Sequence, residues 1–117
     1  MRLHHLALRT TNVDALERFY VGVLGLAITT RSERSIWLDA GGTILMLERA
    51  APGEPPPAPG TMELTCFEIP ATERDAARRR LAAAGIGIEA ETEFTMYFRD
   101  PDGRRIGLSH FEFTGAR

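Results

Sequence analysis

The chain has 117 residues, a formal net charge of −2 and a pI near 5.9, with 44% hydrophobic and 26% charged residues. That length points to one domain with a modest core, and the composition excludes a disordered or fibrous chain. The mild acidity lacks the basic footprint that nucleic acid requires, and no apolar run approaches the roughly 18 residues of a membrane helix.

The start, Met1-Arg-Leu-His-His5, is too short in apolar residues for a signal peptide. A cytoplasmic location, with no nucleic-acid or membrane partner, is therefore expected. Cys66 stands alone in an apolar strand pattern and is expected to be a reduced core thiol. All 14 basic residues are arginine, which argues against a lysine Schiff-base mechanism.

In chain order, Leu3–Arg9 alternates as a strand. Thr11-Asn-Val-Asp14 follows, a hydroxyl and a carboxylate spaced to cap a helix start. Leu16, Phe19, Tyr20, Val23 and Leu24 then make an apolar stripe of helical period, closed by Gly25. Strands are expected at Ala27–Arg31, Ser35–Asp39 and Thr43–Glu48, the last two joined by the tight turn Asp39-Ala-Gly-Gly42. Residues 51–60 hold five prolines, which forbid a helix or a central strand and predict an extended linker.

The same order then returns about 60 residues later. A strand at Leu64–Ile69 precedes Thr72-Glu-Arg-Asp75. A helix with the thinner stripe Ala77, Leu81, Ala84 follows and ends at Gly85. Strands are expected at Ile86–Glu91, Thr95–Arg99 and Arg105–Phe111, with the turn Asp100-Pro-Asp-Gly103 between the last two. Arg78, Arg79 and Arg80 read as a solvated helix face paired with Glu73 and Asp75. The fold class is thus α+β: two tandem β-α-β-β-β modules forming a curled mixed sheet around a pocket. One domain spans 1–117, with a first module over about 1–50, the linker over 51–60 and a second module over about 61–117.

Three stretches carry a resemblance: Leu3-His-His-Leu-Ala-Leu-Arg9, Phe19-Tyr-Val-Gly-Val-Leu-Gly-Leu26 and Phe98-Arg-Asp-Pro-Asp-Gly-Arg-Arg-Ile-Gly-Leu108. In this order and with the duplication, the chain resembles the vicinal oxygen chelate superfamily of glyoxalase I, extradiol dioxygenases, and bleomycin- and fosfomycin-resistance proteins. The resemblance covers nearly the whole chain. It implies metal ligands on the first and fourth strands of each module, at His5, Leu64, Met46 and Gly107. Leucine and glycine offer no donor and a thioether suits hard divalent ions poorly, so only His5 is retained. No cofactor is expected, and a divalent metal near His5 is the alternative.

His5 shares a strand face with Ala7 and Arg9. It reads as a general base or ligand donor, against a structural histidine left from a metal-binding ancestor. His4 is expected on the opposite face. Arg9 resembles the arginine that grips the substrate carboxylate in glyoxalase I; the other reading is an ion pair with Glu68, its repeat mate. Glu48 reads as a replacement for a lost metal ligand beside His5, as a general base, or as a strand-end carboxylate in solvent. Met46, Trp37, Phe98, Tyr97, Met96 and Phe67 are candidate pocket walls as well as ordinary core, with Leu64 and Gly107 at the ligand positions. His110 is expected to be structural or exposed.

The leading expectation is a small-molecule-binding protein that sequesters an organic, aromatic or anionic ligand, as a homodimer. The rival is a lyase, isomerase or dioxygenase that uses His5 with a non-standard metal set, or His5 and Glu48 in metal-free acid–base chemistry. A regulatory subunit with a vestigial pocket is the third.

Overall fold

In a computed structural model, residues 1–113 are described. The chain divides into two compact units, Met1–Ala58 and Pro59–Arg117. The first unit holds β1 (His5–Thr10), α1 (Val13–Glu17) continued by a π-helical turn at Arg18–Val23, β2 (Ala27–Arg31), β3 (Ser35–Asp39) and β4 (Ile44–Arg49). The second holds β5 (Leu64–Glu68), a 3-10 turn at Ala71–Glu73, α2 (Arg74–Ala83), β6 (Ala90–Glu91), β7 (Thr95–Arg99) and β8 (Arg105–Ser109). No helix of the described residues is long and apolar enough to cross a membrane.

Each unit builds one four-stranded mixed sheet, in the orders β1-β4-β3-β2 and β5-β8-β7-β6. The first and fourth strands of each module pair in parallel and the hairpin strands antiparallel. The register is duplicated. His5 pairs with Ile44 as Leu64 pairs with Arg105, and Trp37 pairs with Met46 as Tyr97 pairs with Gly107. The repeat read from the sequence is therefore a repeat of hydrogen-bond ladders.

Period-two alternation sorts the side chains. In the first unit Leu8, Ile36, Leu38, Leu45 and Leu47 are buried with Leu16, Phe19 and Tyr20. In the second, Met96, Phe98, Ile106 and Leu108 are buried with Ala77 and Leu81. The other face of each sheet carries the polar and half-buried residues.

Local details depart from expectation where a competing hydrogen bond wins. The first cap is Asn12 rather than Thr11: its side chain accepts from Ala15 N at 3.0 Å, while Thr10 Oγ1 accepts from Asn12 N. Thr72 caps nothing, because Pro70 opens a 3-10 turn closed by Glu73 N donating to Pro70 O at 2.9 Å. The stripe expected on an α-helix runs into a π turn, whose wider spacing lets the adjacent Phe19 and Tyr20 both enter the core, edge to face at 4.8 Å. Gly25 and Gly85 end the helices at φ +84° and +74°, as a left-handed cap needs. The strand expected over 86–91 shortens to Ala90–Glu91, since Ile86 N is tied back to Leu81 O at 2.9 Å. Both hairpin aspartates cap their own turns: Asp39 Oδ1 accepts from Gly41 N, and buried Asp100 Oδ1 accepts from Asp102 N and Arg104 N.

Two further expectations are corrected. Arg78 makes its direct ion pair across to β6 rather than along its helix. With Arg74 it holds Glu91, which ties α2 to β6. Cys66 is not a core thiol; it lies on the open face of the second sheet and is exposed.

Leu38 is fully buried in the first unit, so Leu38→Ala opens a cavity. It is expected to lower unfolding free energy by about 2–5 kcal/mol in urea denaturation, whereas Ile28→Ala, on an exposed edge strand, costs under about 1 kcal/mol.

Candidate functional site

The pleat that buries Leu8, Leu45 and Leu47 turns His5, Ala7 and Arg9 of β1 to the open face, with Ile44, Met46 and Glu48 of β4 and Ser35, Trp37 and Asp39 of β3. Register sets these side chains in rows. His5, Ile44 and Asp39 form one, Ala7, Met46 and Trp37 the next, and Arg9, Glu48 and Ser35 the third. His5, Arg9, Trp37, Met46 and Glu48 thus share a face. His5 and Glu48, however, stand two rows apart, about 13 Å along the strands at ~3.3 Å per residue. They are not brought together as a ligand pair or a catalytic dyad.

His5 is exposed, and its Nδ1 lies 2.9 Å from Nδ1 of His4. His4 precedes the first ladder residue, so strand alternation does not send it to the other face. One of the two rings donates to the other, which orients His5. Trp37 is 39% exposed and its Nε1 donates to Ser35 Oγ at 3.2 Å. The indole therefore lies over the open face beside Met46 rather than in the core.

Arg9 has a partner that its place in the sequence does not announce. Its Nε and Nη2 donate to both carboxylate oxygens of Glu54 at 2.9 and 2.8 Å, a bidentate pair. Glu48 adds a second carboxylate at 3.9 Å. Glu54 comes from the proline-rich segment and also accepts from Ala51 N at 3.0 Å. The Arg9 guanidinium, then the Ala51 amide, hold the Glu54 carboxyl at about 2. Two carboxylates around one guanidinium leave this corner net negative.

In the second unit the matching face presents Leu64, Cys66 and Glu68 of β5, Arg105, Gly107 and Ser109 of β8, and Tyr97 and Arg99 of β7. A Cβ built at Gly107 would meet Cys66 Sγ at 2.9 Å, Thr95 Cγ2 at 3.3 Å and Leu64 Cδ1 at 3.5 Å. The place where a fourth-strand ligand would project is occupied by a thiol, whose pKa burial pushes up. Of the four positions at which the resemblance sets metal ligands, His5 alone carries a nitrogen or oxygen donor. Among the described residues, no three His, Cys, Asp or Glu side chains are grouped to hold one.

Sequence reasoning singled out neither Arg105 nor the cleft at the end of the second sheet. The cleft has a volume of about 660 Å³ and is lined by Glu68, Pro70, Phe94, His110 and Phe111, among others. There Arg74 Nη1 donates to His110 Nε2 at 3.2 Å, which leaves the ring proton on Nδ1. His110 is thus a structural acceptor, packed edge-on to Phe94. The signal for Arg105 was its strand parity with Gly107.

Residues 2–108 match the family model described as Glyoxalase/Bleomycin resistance protein/Dioxygenase superfamily. The chain is 32% identical over 123 residues to the virulence protein STM3117 of Salmonella typhimurium, covering 94% of this chain and 84% of that one. It is 28% identical over 128 residues to the metallothiol transferase FosB of Shouchella clausii, covering 96% and 88%. Among solved structures, the fosfomycin resistance protein FosX of Listeria monocytogenes superposes with a TM-score of 0.82 at 16% identity, over 96% and 92% of the two chains. The lactoylglutathione lyase of Agrobacterium tumefaciens gives 0.70 at 25% identity, over 92% of each. The expected α+β fold of paired β-α-β-β-β modules is the fold these structures share.

Glu54 sits near 2 when folded against an ordinary 4.5, so its pairing stabilises the protein above pH 4.5 and is lost as pH falls toward 2. Glu89 and Glu91 are lowered alike and add to the same window. Thermal midpoints measured from pH 7 to pH 2 are expected to fall less steeply below 4.5 in Glu54→Gln than in the parent. Gly107→Ala is expected to cost about 1–3 kcal/mol by overpacking. Most of that cost should return in the Gly107→Ala/Cys66→Ala double variant, measured as a double-mutant cycle.

Proposed function

This chain belongs to the Glyoxalase/Bleomycin resistance protein/Dioxygenase superfamily, and from that membership we propose that it binds and sequesters a small organic ligand without a divalent metal. The observation that carries the reading is at Gly107, which has no side chain to chelate, where a Cβ would meet Cys66 Sγ at 2.9 Å and where the row neighbour on β7 is Tyr97. Leu64 and Met46 complete a donor-poor set. Sequestration needs affinity and no chemistry, so it tolerates loss of ligands as long as the open faces persist.

On the first sheet Trp37 and Met46 supply an apolar, polarizable surface for a planar ligand, and His5 supplies a hydrogen-bonding edge. A second reading, an enzyme, is favoured by the 28% identity to a protein named as a metallothiol transferase and by the exposure of His5. In that reading His5 acts alone as acid or base, because Glu48 is two rows away.

The deciding measurement is metal content of untagged protein by mass spectrometry, after growth with Mn, Fe, Ni and Zn supplied. Well under one equivalent is expected, unchanged by His5→Ala. A full equivalent that disappears in His5→Ala overturns the reading in favour of a metalloenzyme. Trp37 is the only tryptophan, so its fluorescence reports occupancy of the first sheet. Compounds that raise the melting temperature in a screen of aromatic and anionic molecules are expected to quench it saturably. Quenching that fails to saturate for every such compound counts against a site beside Trp37.

A further inference from the structure

We propose that the open face of the second sheet carries an anion-binding site centred on Arg105, which takes the oxyanion group of a small organic acid. The inference rests on the binding reading above for the organic body of the ligand, and on Arg105 itself for the charge.

Arg105 opens β8, between Leu64 on β5 and Arg99 on β7. Two arginines directly opposite on neighbouring strands repel each other unless an anion sits between them. Among the described residues, that anion is Glu89. Arg99 donates to it through Nε at 2.7 Å and Nη2 at 3.0 Å, and Arg105 through Nε at 2.9 Å. Two guanidiniums against one carboxylate leave the cluster net positive. The carboxyl of Glu89 is held at about 2 by Arg99 first and Arg105 second, so it stays ionised at any pH where the protein is used.

The two arginines are not equivalent. Arg99 has its remaining groups engaged, with Nη1 donating to the carbonyls of Thr61 and Gly103. Arg105 spends only Nε. Neither of its terminal amino groups has a protein acceptor among the described residues. Its side chain is only 14% exposed, and its guanidinium lies 4.1 Å above the centroid of the Tyr97 ring. Stacking holds the plane of the fork, and the mostly covered N–H groups favour a carboxylate or phosphate over a neutral partner.

Two other arginine clusters lack this combination. Arg9 is outnumbered by Glu54 and Glu48, so an incoming anion there must displace a bidentate partner. Arg78 spends both terminal groups on Glu91 and is 42% exposed. Beside Arg105, half-exposed Leu64 and the thiol of Cys66 over Gly107 supply an apolar floor for the rest of the ligand.

The test is a titration of the 15N-labelled full chain with benzoate, benzamide and inorganic phosphate, followed at the backbone amides of Arg105 to Ser109. Benzoate is expected to shift them saturably, with a Kd at least tenfold below that of benzamide. Arg105→Gln should weaken benzoate tenfold or more, and Arg78→Gln should leave it unchanged. Glu89→Gln, which removes the competing carboxylate, should tighten it several-fold, a change of sign that mere loss of fold does not produce. Benzamide binding as tightly as benzoate overturns the anion site while leaving the ligand-binding reading in place. Phosphate matching benzoate supports the anion site and removes the organic body instead. No saturable shift at these amides with any of the three overturns the proposal.

Discussion

Each four-stranded sheet is pleated, and the pleat divides its side chains between a helix-packed face and an open one. The make-up of both open faces depends on that division. Leu8, Leu45, Leu47, Ile36 and Leu38 can be buried under the first helix only if His5, Arg9, Met46, Glu48 and Trp37 are turned the other way. A slip of one residue in any ladder would exchange the two sets and expose the core. The stability of the fold and the composition of the candidate site are therefore one constraint. It acts twice, since the second module repeats the register of the first.

Charge then distinguishes faces that topology makes alike. In the first module one open-face arginine meets two carboxylates; in the second, two arginines share one. Neither ratio follows from the overall charge of −2, which averages them away. The exposed ion pairs themselves contribute little to stability. Their effect is on what each face repels or accepts. The clusters also tie irregular chain to the ladders: Glu54 holds the proline-rich segment against β1, and Glu89 lies on the approach to β6.

Much of this was legible residue by residue. The two Asp-to-Gly turns, the apolar stripe of the first helix and the glycines after both helices each act over a few residues. Local spacing sufficed to place them. The strand parity of His5 with Arg9, and of Met46 with Glu48, was legible for the same reason. The signals that failed were those in which a local pattern met a stronger competitor. Thr11 yielded the cap to Asn12, and Thr72 lost its own to the turn begun at Pro70. The cap at Leu81 took the amide of Ile86 that a longer β6 would have used.

The sequence by itself determined the order of elements, their duplication, the hairpins, and which residues share a strand face. These depend on periodicity and on turn chemistry, both encoded within a few neighbouring positions. Only the tertiary structure decided who meets whom across that face. It set Glu54 on Arg9 from 45 residues away, kept His5 and Glu48 two rows apart, filled the space above Gly107 with the Cys66 thiol, and laid the Arg105 guanidinium over Tyr97. Those outcomes hang on ladder register and on the path of an irregular segment. Both are fixed by packing between parts of the chain that are distant in sequence, which no local spacing records.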